Sequence, residues 1–321
     1  MSESFLVTGG AGFIGSHIVR RLIHDGAQVR VVDNLSTGHM ARLGDLAGSF
    51  EFIHGDLADV AVCERAVIKI DCVIHQAAVP SVQRSIRDPI GTNRANAVAT
   101  LNLLESSRKA GVRRFVYAAS SSAYGDTEVL PKREDMPANP LSPYALQKFM
   151  GERYCRLYFD LYKLDTVCLR YFNVFGPGQD PHSEYSAVIP KFATALQANN
   201  TLVVFGDGEQ SRDFTFVENI VAANLAALTA PQAPGSVINI GCGARTSLND
   251  IIRMLERILG TKAKVEYRAT RPGDVRHSLA DLTLAQRILA YEPKIGVEAG
   301  LAITVKALSS VNGSRSDSII R

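Results

Sequence analysis

Residues Phe5-Leu-Val-Thr-Gly-Gly-Ala-Gly-Phe-Ile-Gly15-Ser-His17 decide how this chain folds. Phe5 to Val7 is a short apolar run that reads as a buried strand, and Phe13 to Ile23 has the spacing of an amphipathic helix. Between them lies a glycine turn. Gly9 allows a tight exit from the strand, Gly12 lets a pyrophosphate approach the backbone, and Gly15 lets the helix pack closely. The helix start then offers free N–H groups and the positive end of its dipole to phosphate. A second strand, Gln28 to Val32, ends at Asp33, an acid at the distance that suits adenine-ribose hydroxyls. The corner therefore reads as a dinucleotide site. The charge of Asp33 selects NAD over NADP, because it would repel a 2′-phosphate.

Further apolar runs follow at Phe50 to His54, Cys72 to His75, Phe115 to Ala119 and Thr166 to Arg170. Helical patterns near Val60 to Val67, Pro89 to Ala110 and Tyr144 to Leu161 separate them. Such alternation predicts an α/β fold, a doubly wound parallel sheet covered on both faces, with ligands at the carboxyl ends of its strands. After Gly176 the pattern loosens. Helical stretches at Ala187 to Gln197, Val217 to Leu228 and Leu248 to Leu259 alternate with short strands at Leu202 to Phe205, Val237 to Ile240 and Lys264 to Tyr267. A cofactor domain over 1–176 and a smaller α/β substrate domain over 177–311 are expected, with some later strands returning to the main sheet. A disordered polar tail is expected over 312–321.

Composition narrows the class of protein. Hydrophobic residues make up 46% of 321 and charged residues 21%, which is ordinary for a globular enzyme. A net charge of +3 without a basic run gives no footprint for nucleic acid. No signal peptide or membrane span is expected, and the odd, scattered set of five cysteines reads as reduced thiols in the cytoplasm. No metal-ligand spacing is visible.

Tyr144-Ala-Leu-Gln-Lys148 opens a helix after Pro143. Residues at i and i+4 share a face, so the phenol and the ammonium are expected side by side. A cation there would favour phenolate and make Tyr144 a general base. Ser120, Ser121 and Ser122 end an apolar strand, and a hydroxyl there, Ser120 first, could hold the substrate oxygen that Tyr144 deprotonates. Arg212 and Arg271 each stand in a loop, and two convergent guanidiniums suit a diphosphate.

Taken together, these motifs resemble the extended short-chain dehydrogenases/reductases of the nucleotide-sugar epimerase/dehydratase group. The resemblance rests on Thr8 to Gly15, Asp33-Asn34, Gly55-Asp56-Leu57, His75-Gln-Ala-Ala78, Ser120 to Gly125, Tyr144 with Lys148, Arg170 to Pro177, Arg212-Asp213 and Arg271-Pro-Gly-Asp274. It covers about residues 4 to 305 in consistent order. It implies NAD held by Gly9, Gly12, Phe13, Ile14, Gly15, Asp33, Asn34, Ser36, Thr37 and Gly38. Asp56 and Leu57 would flank the adenine. Gln76, Ala77 and Ala78 would line the cleft, Asn96 would brace it, Phe172 would lie near the nicotinamide, and Tyr144 and Lys148 would complete the site. For a UDP-sugar substrate it implies Ser81, Val82, Asn173, Ala187, Val188 and Lys191. Val203 and Phe205 would meet the base and Asp274 the ribose. Relatives of this kind also dimerise through a four-helix bundle, which Pro89 to Ala110 and Tyr144 to Leu161 could form.

The implied reaction is C4 epimerisation through a transient 4-keto sugar. Gly273 to Asp281 and Ala187 to Lys191 resemble the bacterial UDP-N-acetylglucosamine 4-epimerases. Ser278 stands where enzymes restricted to UDP-glucose often carry tyrosine, leaving room for a 2-acetamido group. Ala187 departs from the asparagine usual in glucose-type enzymes. Three other readings stay open. A UDP-glucuronate epimerase or decarboxylase would use Arg84 or Arg276 for the sugar carboxylate. A 4,6-dehydratase needs an acid pair where Ser120 to Ser122 stand. A non-catalytic NAD-binding protein often lacks the Tyr/Lys pair.

Overall fold

A computed structural model describes residues 3–180, 188–270 and 276–316. Strands β1 (Ser4–Thr8), β2 (Gln28–Asp33), β3 (Glu51–His54), β4 (Cys72–His75), β5 (Arg114–Ser120) and β6 (Asp165–Tyr171) lie in the first half. The second half adds β7 (Val174–Phe175), β8 (Leu202–Phe205), β9 (Ser211–Arg212), β10 (Thr215–Phe216), β11 (Val237–Ile240), β12 (Thr246–Ser247) and β13 (Val265–Arg268). The helices are α1 (Phe13–His24), α2 (Val60–Ala66), α3 (Val82–Arg87), α4 (Pro89–Asn93), α5 (Ala99–Ala110), α6 (Pro143–Tyr162), α7 (Val188–Gln197), α8 (Val217–Thr229), α9 (Leu248–Leu259), α10 (Thr283–Leu289) and α11 (Val297–Ser316).

Seven strands form one parallel sheet in the order β11-β6-β5-β4-β1-β2-β3. Successive side chains on a strand point to opposite faces. Phe5 and Val7 accordingly join one core with Ile18 and Val19 of α1, Ile220 and Ala227 of α8, and Ala285 of α10. Leu6, between them, joins the other core, with Val62 of α2, Leu103 of α5 and Cys155 of α6. Both faces are covered, which is why these strands read as continuous apolar runs. Strand order reverses between β1 and β4, and that switch point opens a crevice at the carboxyl ends of the strands.

A third core gathers α7, α9 and α11 around β8 and β13, with Phe192, Leu202, Ile251 and Leu301 buried in it. β8 and β13 pair in parallel, and β9 pairs with β12. β11 leaves this region to become the edge strand of the main sheet beside β6. Among the described residues, no helix is long and apolar enough to cross a membrane.

Several elements depart from the sequence expectation. The stretch Pro89 to Ala110 is not one helix, because a π-helical turn at Arg94–Val98 separates α4 from α5. α3, α10 and the strands of two residues have too few positions to show a period. The tail expected to be disordered from Asn312 is helical as far as Ser316, as the end of α11. Leu301 and Val305 anchor that helix one turn apart in the third core, and a nucleated helix adds each further residue cheaply.

Candidate active site

The β1–α1 turn lies against the end of β4. Gly9 has φ +64°, and a Cβ there would fall 2.7 Å from the backbone of Ala77. A Cβ on Gly15 would fall 2.2 Å from the Gly9 carbonyl oxygen, so this glycine packs α1 on the turn as well as on the sheet. The Gly12 amide donates to the Gly9 carbonyl at 3.0 Å, and no side chain caps the α1 N-terminus, which Phe13 and Ile14 open. Asp33 is buried at the end of β2, where its carboxylate accepts from the Ala11 amide at 3.0 Å and the Leu35 amide at 2.8 Å. Gly38 closes over that carboxylate. Asn34 accepts from the Ser36 amide at 3.0 Å, which folds the exposed Ser36–Thr37 loop back beside it. An uncapped helix start, a glycine turn without room for side chains and an acid at the next strand end together fit NAD.

Other expected cofactor residues line the same edge. Asp56 is exposed after β3, and Leu57 is buried beside it. Ala77 and Ala78 follow β4, half-buried. The Gln76 amide turns instead into the interior and donates to Tyr171 Oη at 2.9 Å and Asn224 Oδ1 at 3.2 Å. Asn96 is buried in the π-helical turn. Its Oδ1 accepts from the Val79 amide at 2.7 Å, and its Nδ2 donates to Gln147 Oε1 at 2.8 Å. Asn96 thus ties the loop after β4 to α6 between Tyr144 and Lys148.

His75 was quoted with its motif but given no role by the sequence. Its ring is fully buried under the turn. Thr8 Oγ1 lies 2.7 Å from Nδ1, and Thr100 Oγ1 lies 2.9 Å from Nε2. Thr100 also donates to the Asn96 carbonyl at 2.5 Å, so its oxygen must accept from the imidazole. The ring is therefore neutral with the proton on Nε2, and burial pushes its pKa down to about 3.

Ser142 caps α6, its hydroxyl accepting from the Ala145 amide at 3.1 Å, and Pro143 presets the first turn. The Tyr144 amide donates to Ser85 Oγ at 3.0 Å. Burial raises the Tyr144 phenol, and a hydrogen bond with Ser120 opposes that rise. Ser122 Oγ donates to Ser120 Oγ at 2.8 Å, so the two hydroxyls act as a unit, while Ser121 opens the short helical turn Ser121–Tyr124. Lys148 leaves α6 on the same face as Tyr144, and its ammonium bonds to the backbone of β5. Lys148 is 4% exposed, and its Nζ donates to the Ala118 carbonyl at 2.8 Å. A buried ammonium takes the acceptor within reach, and helical spacing sets only the face it leaves from. Burial lowers its pKa to about 8 against the opposing charge of Glu152.

Phe172, expected against the nicotinamide, has no exposed surface. It packs on Tyr124 at 6.3 Å and on Ala280, backing the pocket rather than lining it. The substrate residues fall into two groups. Ser81 is buried as the cap of α3, accepting from the Arg84 amide at 3.0 Å, with Val82 exposed after it. Across the crevice, the Arg276 carbonyl accepts from the Ser211 amide at 3.0 Å, and the Ser278 amide donates to the Ser211 carbonyl at 3.1 Å. Arg212 therefore stands beside the segment that carries Ser278, and its guanidinium donates to the Arg276 carbonyl at 3.1 Å. Ala280, two residues on, is buried in one cluster with Tyr124 and Phe172. Burial pushes Asp213 up to about 6, although the amides of Cys242, Gly243 and Ala280 all donate to it. Asn173 is exposed and pairs its carbonyl with the Thr215 amide at 3.1 Å. Val188 and Lys191 open α7, while Val203 and Phe205 are half-buried on β8. Ala187, Arg271 and Asp274 lie outside the described residues.

Residues 5–241 match the model of the NAD dependent epimerase/dehydratase family. A UDP-glucose 4-epimerase of Mycolicibacterium smegmatis is 40% identical over 305 residues, covering 94% of this chain and 97% of that protein. The solved UDP-N-acetylglucosamine 4-epimerase from Methanobrevibacter ruminantium, in complex with UDP-N-acetylmuramic acid, superposes with a TM-score of 0.93. It is 38% identical, with 97% of this chain and 100% of that one covered. UDP-glucuronic acid 4-epimerase from Bacillus cereus, solved with UDP-glucuronic acid and NAD, gives a TM-score of 0.89 at 31% identity, covering 96% and 99%.

Proposed function

The chain belongs to the NAD dependent epimerase/dehydratase family, and we propose that within it the protein interconverts UDP-N-acetylglucosamine and its C4 epimer, with UDP-glucose as a second substrate. The broader activity, C4 epimerisation of a UDP-sugar, is the one named for the UDP-glucose and UDP-N-acetylglucosamine 4-epimerases among its relatives, while a UDP-glucuronic acid decarboxylase of Xenopus tropicalis is 31% identical. The observation that carries the reading is the paired Ser120–Ser122 hydroxyls, 2.8 Å apart at the carboxyl end of β5, with Tyr144 on the capped first turn of α6 and Ser120 offsetting the burial of its phenol. A hydroxyl held by Ser122 can meet the sugar C4 oxygen while Tyr144 removes its proton. Gly9, Gly12, Gly15 and Asp33 would hold NAD, which would supply a reversible hydride acceptor at C4 and leave the reaction redox-neutral.

Burial alone would keep Tyr144 protonated. The Ser120 hydroxyl and the Lys148 cation, acting through a low-dielectric interior, supply the opposing pull. Arg212, with Arg271, would hold the diphosphate and leave the sugar free to turn. A side chain as small as Ser278 leaves space for a 2-acetamido group. Arg84 and Arg276 are the candidate partners for a uronate, and the Arg276 guanidinium is already paired with Asp207 at 3.3 Å, which favours the neutral hexoses. We assign the cofactor to residues 1–176 and the substrate cap to 177–311, apart from β11, which joins the main sheet, and α8 and α10, which cover one of its faces. Exposed apolar side chains on α4 and α6 support a homodimer through a four-helix bundle, and five unpaired cysteines suit a reducing cytoplasm.

Tyr144→Phe is the direct test. Removing a general base costs about 10²–10⁴-fold in kcat. Turnover should fall by that factor while NAD remains bound, as read by extraction and absorbance. Undiminished turnover would overturn the assignment.

A further inference from the structure

Tyr144, Lys148 and Glu152 occupy successive turns of one face of α6, with Tyr144 half-buried and Lys148 and Glu152 buried. Glu152 is 2% exposed and meets Arg170 of β6 through two hydrogen bonds, Nε to Oε1 at 2.9 Å and Nη2 to Oε2 at 2.7 Å. Both carboxyl oxygens accept, which a carboxylate does and a carboxylic acid does poorly. The Arg170 guanidinium lies over the Tyr124 ring at 4.6 Å, and Tyr124 Oη donates to Asn239 Oδ1 at 2.7 Å. These contacts leave Arg170 little freedom to move away.

A buried ion pair is a poor source of stability, because desolvation offsets most of its Coulomb energy. Its position one turn from Lys148 gives it another use. Lys148 is a buried cation whose hydrogen-bond acceptor, the Ala118 carbonyl, is neutral. The other titratable groups packed around it are a phenol, an imidazole and two cysteines. Tyr117 of β5 presents its ring face at 5.1 Å, His75 of β4 is neutral, and Cys155 of α6 and Cys168 of β6 are buried thiols. Glu152 is the anion near Lys148, and Arg170 is the cation that keeps that anion in place.

We propose that Glu152, held by Arg170, is a positioning residue that keeps Lys148 charged and so lets Tyr144 ionise at neutral pH. Lys148, Glu152 and Arg170 together carry one net positive charge, which the Tyr144 phenolate would neutralise. Without Glu152, two buried cations would face one another and Lys148 would shed its proton first. The electrostatic directions agree: burial lowers Lys148, and Glu152 is the largest influence that raises it. This inference rests on Tyr144 and Lys148 being the reacting pair.

The test is the pH dependence of kcat for C4 epimerisation by the NAD-loaded enzyme, with UDP-N-acetylglucosamine and UDP-glucose each as substrate. In Glu152→Gln the alkaline limb should move down by about one pH unit or more, a tenfold change in the Lys148 proton equilibrium. KM should stay within about twofold, and Glu152→Asp, which keeps the charge, should restore most of the limb. If Glu152→Gln does not fold, the double variant Glu152→Leu/Arg170→Leu removes the buried pair without leaving an orphan charge. Its limb should also lie below wild type. A wild-type limb in any folded variant lacking the 152 carboxylate overturns the proposal, even if kcat falls. Tyr144→Phe serves as the control. Retained turnover there would overturn the assignment of the reacting pair, whereas lost turnover with an unmoved limb in Glu152→Gln would overturn this inference alone.

Discussion

His75 shows how much one buried side chain can fix. Its neutral ring accepts a hydrogen bond from Thr8, donates one to Thr100, and so holds the glycine turn, the end of β4 and the π-helical turn in one arrangement. The arrangement is sensitive to acid. Burial lowers the imidazole from an ordinary value of 6.5 to about 3. The unfolded chain therefore binds a proton between those values that the folded chain does not. Stability is complete above pH 6.5 and falls as pH drops below it, by about 1.4 kcal/mol per unit. Chemical denaturation at pH 7 and pH 5 should show about 2 kcal/mol of this loss in the wild type. The loss should be absent in His75→Gln, which keeps polar contacts but does not titrate. Equal pH dependence in the two proteins would show that His75 is not the source. The sequence placed this residue in a motif but could not give it a role, because its partners lie 67 and 25 positions away.

At the scale of elements, α6 turns one face to the interior and the other to solvent. Tyr144, Lys148, Glu152 and Cys155 point inward, while Leu146, Leu157 and Leu161 remain exposed on the other side. With Ile90 of α4 at 83% exposed and Leu161 at 65%, the outer face is more apolar than a solvated helix needs. Two copies pairing these helices would cover it. Light scattering should find a dimer for the wild type and a monomer for Leu157→Glu/Leu161→Glu. A wild-type monomer at micromolar concentration would contradict the pairing.

The same helix shows what was legible in the sequence. Its N-terminus was readable from Pro143 and its face from the spacing of Tyr144 and Lys148. The direction of the ammonium was not, since spacing fixes a face and not a rotamer. The π-helical turn at Arg94–Val98 escaped for a related reason. A single widened turn barely changes the apolar period, yet it is what carries Asn96 to Val79 and Gln147.

For the molecule as a whole, the sheet delivers cofactor-side and sugar-side residues to one crevice from distant parts of the chain. Gly9, Asp33 and Ser120 arrive on strand ends, as their places after apolar runs foretold. Arg212 and Ser278 arrive through pairing of Ser211 with the segment at Arg276 to Ser278, a contact too short to leave a periodic signal. That pairing sets Ser278 beside β9 and Arg212, and the proposed role of Ser278 in admitting the larger sugar rests on it.

The decisive measurement is kcat/KM for UDP-N-acetylglucosamine, UDP-glucose and UDP-glucuronate, taken in parallel on wild type and Ser278→Tyr. The wild type should favour UDP-N-acetylglucosamine, and the variant should lose that activity by about 10–200-fold, the range that one steric contact controls, while keeping UDP-glucose turnover. Preference for UDP-glucuronate in the wild type, or an acetylated-sugar activity that Ser278→Tyr leaves intact, would contradict the assignment.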